Sequence, residues 1–134
     1  MKMSIGHLAF FVTDMEKSMQ YYCEGLGFTH AFSLEDKNGN PWIEYLHIGG
    51  GQFIELFYTK PGFENTNTGY SHLCLRVEDC VAAVKEFEAR GVQITTQPRQ
   101  GSDHNVQAWT QDPDGNRIEI MQISPESPQS KFDK

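Results

Sequence analysis

The sequence contains no apolar run approaching the ~20 residues that a membrane-spanning helix needs. Its 134 residues open on Met1-Lys2-Met3-Ser4-Ile5 and pass straight into a strand-like stretch, with no charged-then-apolar leader. Neither a membrane span nor a signal peptide is expected. Basic residues are scarce: 11 Lys and Arg stand against 18 Asp and Glu, a net charge of −7. Nucleic-acid binding needs clustered cations to neutralise phosphates, so that class is excluded, and an anionic membrane surface offers the chain nothing. Three cysteines, Cys23, Cys74 and Cys80, form neither a disulfide framework nor a CxxC pair. An odd, scattered set points to reduced thiols and a cytoplasmic location. Phosphate and calcium loops are also missing. Gly49-Gly50-Gly51 is not followed by Lys-Ser/Thr, and Asp112-Pro113-Asp114-Gly115-Asn116 lacks the closing Glu of a calcium loop.

What is present is a soluble-type composition, 38% hydrophobic and 12% aromatic, enough for one compact core or two small modules. Ile5 to Thr13 reads as a strand, and Asp14 as the N-cap of a helix over Met15 to Gly25, with Met15, Met19 and Tyr22 on one face. Strands follow at Gly27 to Phe32, Trp42 to Ile48 and Gln52 to Thr59, joined by an Asn-Gly turn and a triple-Gly turn. Lys60 to Gly69 has no periodicity and reads as a linker. The order then recurs. Ser71 to Val77 is a strand, and Asp79 caps a helix to about Arg90 with Val81, Val84 and Phe87 on one face. A strand at Val92 to Thr95, a polar loop over Gln97 to His104 and two strands at Asn105 to Thr110 and Arg117 to Ile123 complete it. Ser124 to Lys134 is polar with two prolines and is expected at the surface or disordered.

The recurrence is an internal repeat. A shift of 65 residues places His7 on His72, Leu8 on Leu73, Val12 on Val77 and Asp14 on Asp79; a shift of 64 places Ile54 on Ile118 and Glu55 on Glu119. The expected architecture is α+β, two paired βαβββ modules over residues 4–59 and 70–123, with a linker at 60–69 and a tail at 124–134. Strand side chains alternate faces. Leu8, Phe10 and Val12, like Leu73, Leu75 and Val77, give each sheet an apolar face for its helix. The opposite faces carry His7, Phe11, Glu55, Phe57 and Thr59 in one module and His72, Cys74, Arg76, Glu119 and Met121 in the other. A lone strand His or Glu is usually structural. Two His and two Glu at equivalent places in two copies point instead to a divalent metal, since a carboxylate among Ile and Leu needs a cation or hydrogen bonds. Cys74 reads as an inert thiol, His104 as exposed, and His30 and His47 as structural.

Several segments resemble the vicinal oxygen chelate superfamily, and within it glyoxalase I (lactoylglutathione lyase). They are Gly6-His7 with Val12 to Ser18, Gly25-Leu26-Gly27-Phe28, Phe53-Ile54-Glu55-Leu56, Gly69 to His72 and Asp112 to Glu119. The resemblance implies a metal held by His7, Glu55, His72 and Glu119, with nickel, cobalt or zinc as the ion. It also implies a homodimer with shared active sites and a small-molecule thiol adduct as substrate. The implied reaction converts a 2-oxoaldehyde–thiol hemithioacetal to a 2-hydroxyacyl thioester. Glu119 or Glu55 moves the proton, and the metal stabilises an enediolate. Two positions depart from the glutathione pattern: Phe11 where an Arg is usual, and Thr59 where an Asn is usual. Arg99 lies near the loop that usually carries a Lys. Arg76, which falls on Phe11 in the repeat, is a candidate anion contact. Phe11, Phe57, Thr59, Arg76, Trp109 and Met121 are the candidate substrate-binding residues. The alternatives are another enzyme of the superfamily (an epimerase, thiol transferase or oxygenase) or a non-catalytic ligand-sequestering resistance protein. Trp42, Tyr45, Phe57, Trp109 and Met121 suit a flat apolar ligand.

Overall fold

The computed structural model describes residues 1–66 and 69–132. Residues 67 and 68 of the expected linker and residues 133 and 134 of the expected tail lie outside the described residues. The chain divides into two compact units, Met1–Thr68 and Gly69–Lys134.

The first unit runs β1 (His7–Val12), α1 (Met15–Met19), a π-helical segment (Gln20–Gly25), β2 (Thr29–Glu35), β3 (Pro41–Gly49) and β4 (Gln52–Tyr58). Its sheet has the order β1-β4-β3-β2, with β1 and β4 parallel and the other pairs antiparallel. The second runs β5 (Leu73–Arg76), α2 (Cys80–Ala89), β6 (Ile94–Gln100), β7 (Val106–Gln111) and β8 (Arg117–Gln122), in the order β5-β8-β7-β6. The fold is α+β, two copies of one βαβββ module. The first and second strands of each module lie at opposite edges of its sheet, so the helix between them carries the chain across.

Both helices begin as the sequence predicts. The Asp14 carboxylate accepts from the Lys17 amide, and the Asp79 carboxylate from the Ala82 amide, each at 3.0 Å. The expected helix over Met15 to Gly25 stays α only to Met19. It then widens, and the Leu26 amide donates five residues back to the Tyr21 carbonyl at 2.9 Å. The wider turn carries fully buried Tyr22 between Phe10 and Phe28, with ring centroids at 6.4 and 5.9 Å. On α2 the buried stripe is Cys80, Val84 and Phe87, while Val81 is exposed. Positions i, i+4 and i+7 lie in line on a helix, and Val81 is turned about 100° away from Cys80.

Two other expectations fail in the second unit. β6 extends to Gln100, through what composition marks as a loop, with register shifts that accommodate Pro98 on the edge strand. The tail is not wholly superficial. Ser127 is buried, and within the 3-10 turn at Pro128–Phe132 Gln129 accepts from the Asn105 side chain at 3.2 Å.

The core of each unit is the apolar face of its sheet. Phe10, Val12, Leu46, Ile54 and Leu56 are buried in the first, and Val84, Ala108, Ile118 and Ile120 in the second. In the first unit that face is not strictly apolar. Glu44 is buried there in register with Leu56. Its carboxylate bonds the His30 Nε2 at 2.7 Å, accepts from the Tyr58 hydroxyl at 3.0 Å, and accepts from Ser33. Three partners make a buried carboxylate tolerable, which is why a polar residue sits there.

Candidate metal centre

The sheet register explains why a His and a Glu meet in each module. β1 and β4 run in parallel with Ala9 opposite Glu55, so His7, two residues earlier on the same face, reaches diagonally across. His7 Nε2 lies 2.9 Å from Glu55 Oε2. In the second module Cys74 is opposite Glu119, and His72 makes the same diagonal reach, with Nε2 3.0 Å from Glu119 Oε2. His72 precedes β5 rather than lying within it, since the strand begins at Leu73. The Ser71 hydroxyl bonds the other ring nitrogen, Nδ1, at 2.9 Å. That contact holds the ring so that Nε2 faces the carboxylate.

The carboxylates are sheltered and the imidazoles open. The Glu55 and Glu119 side chains are 7% and 14% exposed, whereas those of His7 and His72 are 50% and 33% exposed. Each module thus presents one imidazole nitrogen and one carboxylate oxygen toward the exposed face, a donor set that suits a borderline divalent ion. Among the described residues no group of three or more His, Cys, Asp and Glu gathers as a metal cluster.

The surroundings of the two pairs differ, through Tyr45, which the sequence offered only as part of a flat apolar surface, and Arg117, which it did not single out. Beside Glu55 is Tyr45, opposite it in register. Its hydroxyl donates to Glu55, and that bond, followed by burial and the Glu55 charge, raises the Tyr45 pKa. Phe32 stacks on Tyr45 with centroids at 4.2 Å, and Phe53 meets its edge at 6.5 Å. Phe11, half exposed, packs on Phe57 at 5.7 Å and Phe63 at 5.3 Å, and Trp42 meets Phe57 at 6.1 Å. Beside Glu119 the register partner is Trp109, which donates to Gln107 at 3.0 Å and stands edge-on to His72 at 4.8 Å. Arg117 lies over the Trp109 ring, with Cζ 4.2 Å from its centroid. The bond from Tyr45 to Glu55 and the place of Arg117 over Trp109 were legible only once pairing was known, because cross-strand partners depend on register and not on spacing along the chain.

The remaining candidates are placed unevenly. Arg76 lies on the Glu119 face and, with Val77, Glu78 and Ile123, lines an open depression of about 450 Å³. Thr59 donates its hydroxyl to the Val12 carbonyl at 2.8 Å, tying the ends of β1 and β4 together. Met121, on the same face as Glu119, is buried, and its sulfur accepts from the Asn105 amide at 3.4 Å. Cys74 is held as a neutral thiol. Burial, then the Glu119 and Asp103 charges, push its pKa up to about 12. His104 is exposed, with φ of 71°.

The chain matches the family model described as Glyoxalase/Bleomycin resistance protein/Dioxygenase superfamily over residues 4–120. The chain belongs to this superfamily. Among its relatives is a protein named probable lactoylglutathione lyase from Synechocystis sp., 30% identical over 139 residues, covering 91% of this chain and 97% of the relative. A lactoylglutathione lyase from Pseudomonas putida is 30% identical over 150 residues, covering 90% of this chain and 85% of that protein. The crystal structure of a Zea mays glyoxalase I mutant shares the superfamily fold, with a TM-score of 0.76 at 23% identity, over 89% of this chain and 45% of that one.

Proposed function

We propose that this chain is a metal-dependent lyase of the glyoxalase I type. The observation that carries the reading is the duplicated pair, His7–Glu55 and His72–Glu119, with nitrogen and oxygen about 3 Å apart at repeat-equivalent positions. Its relatives named lactoylglutathione lyase support the same reaction class. His7, Glu55, His72 and Glu119 would hold one divalent ion, nickel, cobalt or zinc, two donors from each module. A bound ion would supply Lewis acidity to the two oxygens of a hemithioacetal.

The protein's own groups carry the proton. Glu55 is restrained by both His7 and the Tyr45 hydroxyl. Glu119 has His72 but a Trp in place of the Tyr, so it is the freer carboxylate and the better shuttle. Glu119 takes the proton from the carbon bearing the hydroxyl and the sulfur, and returns it to the neighbouring carbonyl carbon. The hydroxyl proton passes to the former carbonyl oxygen. The adduct thereby becomes a 2-hydroxyacyl thioester with no atom gained or lost. Phe11, Phe57 and Trp109 would line the substrate, with Arg76 at the edge of its depression. The active form would be a homodimer with sites completed across the interface, acting in the cytoplasm.

The test is metal analysis of the purified protein, followed by an absorbance assay for thioester from methylglyoxal and several thiols. Stoichiometric metal and thioester formation are expected. Absence of both after addition of nickel, cobalt and zinc would sink the reading. One observation favours a second reading, sequestration of a flat apolar ligand: the exposed aromatic surface of Phe11, Phe32 and Trp42. Tight binding of aromatic compounds by metal-free protein, without turnover, would select it.

A further inference from the structure

Met121 lies on the open face of its sheet, two residues along β8 from Glu119, yet it is buried. What covers it comes from outside the strands. Asn105, just before β7, is buried and projects to the same face as Gln107, the register partner of Met121. Its side-chain nitrogen donates to Met121 Sδ at 3.4 Å and to Gln129 Oε1 at 3.2 Å, so the C-terminal segment 124–132 meets the sheet beside Met121. Its side-chain oxygen accepts from the Ser124 amide at 2.9 Å, where that segment begins.

Asp103 holds Asn105 from the other side. Its carboxylate accepts from the Asn105 backbone amide at 3.0 Å and from the side-chain nitrogen at 3.2 Å. His104, between them, has a left-handed φ of 71°, a conformation that a residue with a side chain keeps only where its surroundings enforce it. The tail is fastened at one point. Among the described residues, the two hydrogen bonds that join segment 124–132 to the rest of its module both end on the Asn105 side chain, and its others lie within the segment. Phe132, its aromatic residue, is 86% exposed and does not anchor it. A segment held at one point opens locally while the sheet beneath it stays folded.

Resting on the lyase reading for the role of Glu119, we infer that Asn105 is a positioning residue that latches the C-terminal segment over the Met121 end of the Glu119 face and so keeps water from the proton that Glu119 carries. That proton leaves the carbon bearing the hydroxyl and the sulfur, sits on a Glu119 oxygen and returns to the neighbouring carbon. Water with access to that oxygen exchanges it for a solvent proton before the return. With the latch closed, the proton returned is the one removed.

The experiment compares the full-length wild type with Gln129→Met, which keeps the side chain's length and removes its acceptor, and with Asn105→Ala, which removes both ties. The first readout needs no turnover: oxidation of Met121 by dilute peroxide, followed by mass spectrometry, with the exposed Met3 as the internal standard. Met121 should oxidise about tenfold faster in Gln129→Met, because losing one hydrogen bond raises local opening by that order. Asn105→Ala should oxidise at least as fast. The second readout is the deuterium content of the thioester formed in heavy water from the methylglyoxal adduct of 2-mercaptoethanol by metal-loaded protein. Deuterium on the carbon that receives the proton should rise at least about threefold in Gln129→Met, while kcat stays within about threefold because Glu119 is intact. A merely structural tie would lower the melting temperature and leave the deuterium content at the wild-type level. Met121 equally protected in all three proteins overturns the inference, and so does a Met121 that opens without a rise in deuterium. A wild type that forms no thioester with nickel, cobalt or zinc refutes the lyase reading instead, and the latch then stands or falls on Met121 oxidation alone.

Discussion

The two modules are copies of one βαβββ plan, yet the surfaces they present around their His–Glu pairs are chemically opposite. In the first, Glu55 is surrounded by Tyr45, Phe53, Phe57 and Phe11. In the second, the repeat-equivalent positions are Trp109, Arg117, Met121 and Arg76, and Met121 is buried there against Asn105. Duplication kept the diagonal that joins His to Glu, because that depends on strand register. It let the neighbours diverge, because each neighbour answers only to its own packing. One face became aromatic with a hydroxyl clamp on its carboxylate; the other became cationic with its carboxylate unclamped.

The largest effects should come from separating the two carboxylates. With a general base removed, Glu119→Gln is expected to lower kcat by about 10³-fold while much of the bound metal remains, since the amide oxygen still coordinates. Glu55→Gln keeps the same oxygen donor and leaves Glu119 in place as the base, so metal should again be largely retained and kcat should fall far less than in Glu119→Gln. Parallel kinetics and metal analysis on both variants decide this, and identical profiles would mean the modules are functionally interchangeable. Tyr45→Phe removes the clamp on Glu55 alone and should weaken metal binding by about tenfold, as loss of an outer hydrogen bond to a ligand commonly does. Trp109→Phe, at the equivalent place, should leave metal affinity within about twofold, because no hydrogen bond to Glu119 is lost there.

The buried faces diverge as well, and exchanging their residues tests whether the divergence is structural. Glu44 has His30, Ser33 and Tyr58 as partners, and its equivalent in the second module is Ala108, which is wholly buried. Ala108→Glu would bury a carboxylate without those partners and should destabilise the protein by about 3–5 kcal/mol. Glu44→Ala leaves His30 and Tyr58 groups that can reach water and should lose less, about 1–2 kcal/mol. Thermal or denaturant unfolding measures both. Equal losses would show that the Glu44 cluster is no better adapted to its carboxylate than the Ala108 environment.

Much of this organisation can be read along the chain, and what cannot has a common cause. The repeat, the caps at Asp14 and Asp79 and the two-faced strands are local or periodic, so spacing reveals them. The His–Glu diagonals follow from the repeat plus parallel pairing. Tyr45, Arg117 and the Glu44 cluster are cross-strand relations set by register, and register is a tertiary property. The errors have the same origin. Val81 looked like a core residue because three-residue spacing is as helical as four, and only the sheet beneath α2 decides that Cys80 is the one buried. Pro98 looked like a loop residue because an edge strand tolerates the missing amide.

The helices offer the smallest and cleanest contrast. Asp14 and Asp79 make the same cap with the same geometry, φ −136° and −137°, but α1 has five residues before it widens into the π segment and α2 has ten. Removing either cap, Asp14→Ala or Asp79→Ala, should cost about 1 kcal/mol of global stability if the transition is two-state. The local consequence should differ. A ten-residue α-helix has enough interior hydrogen bonds to fray only at its first turn. In the first module the cap supports a single α turn, and what lies beyond it is held by Tyr22 packing between Phe10 and Phe28. Amide exchange in Asp79→Ala should therefore rise only near Cys80 to Ala83. In Asp14→Ala it should rise through Met19 and stop where the Tyr22 contacts begin. If protection is lost through Gly25 in Asp14→Ala, the aromatic packing is not what anchors the wide turn, and the cap alone would be holding both parts of that helix.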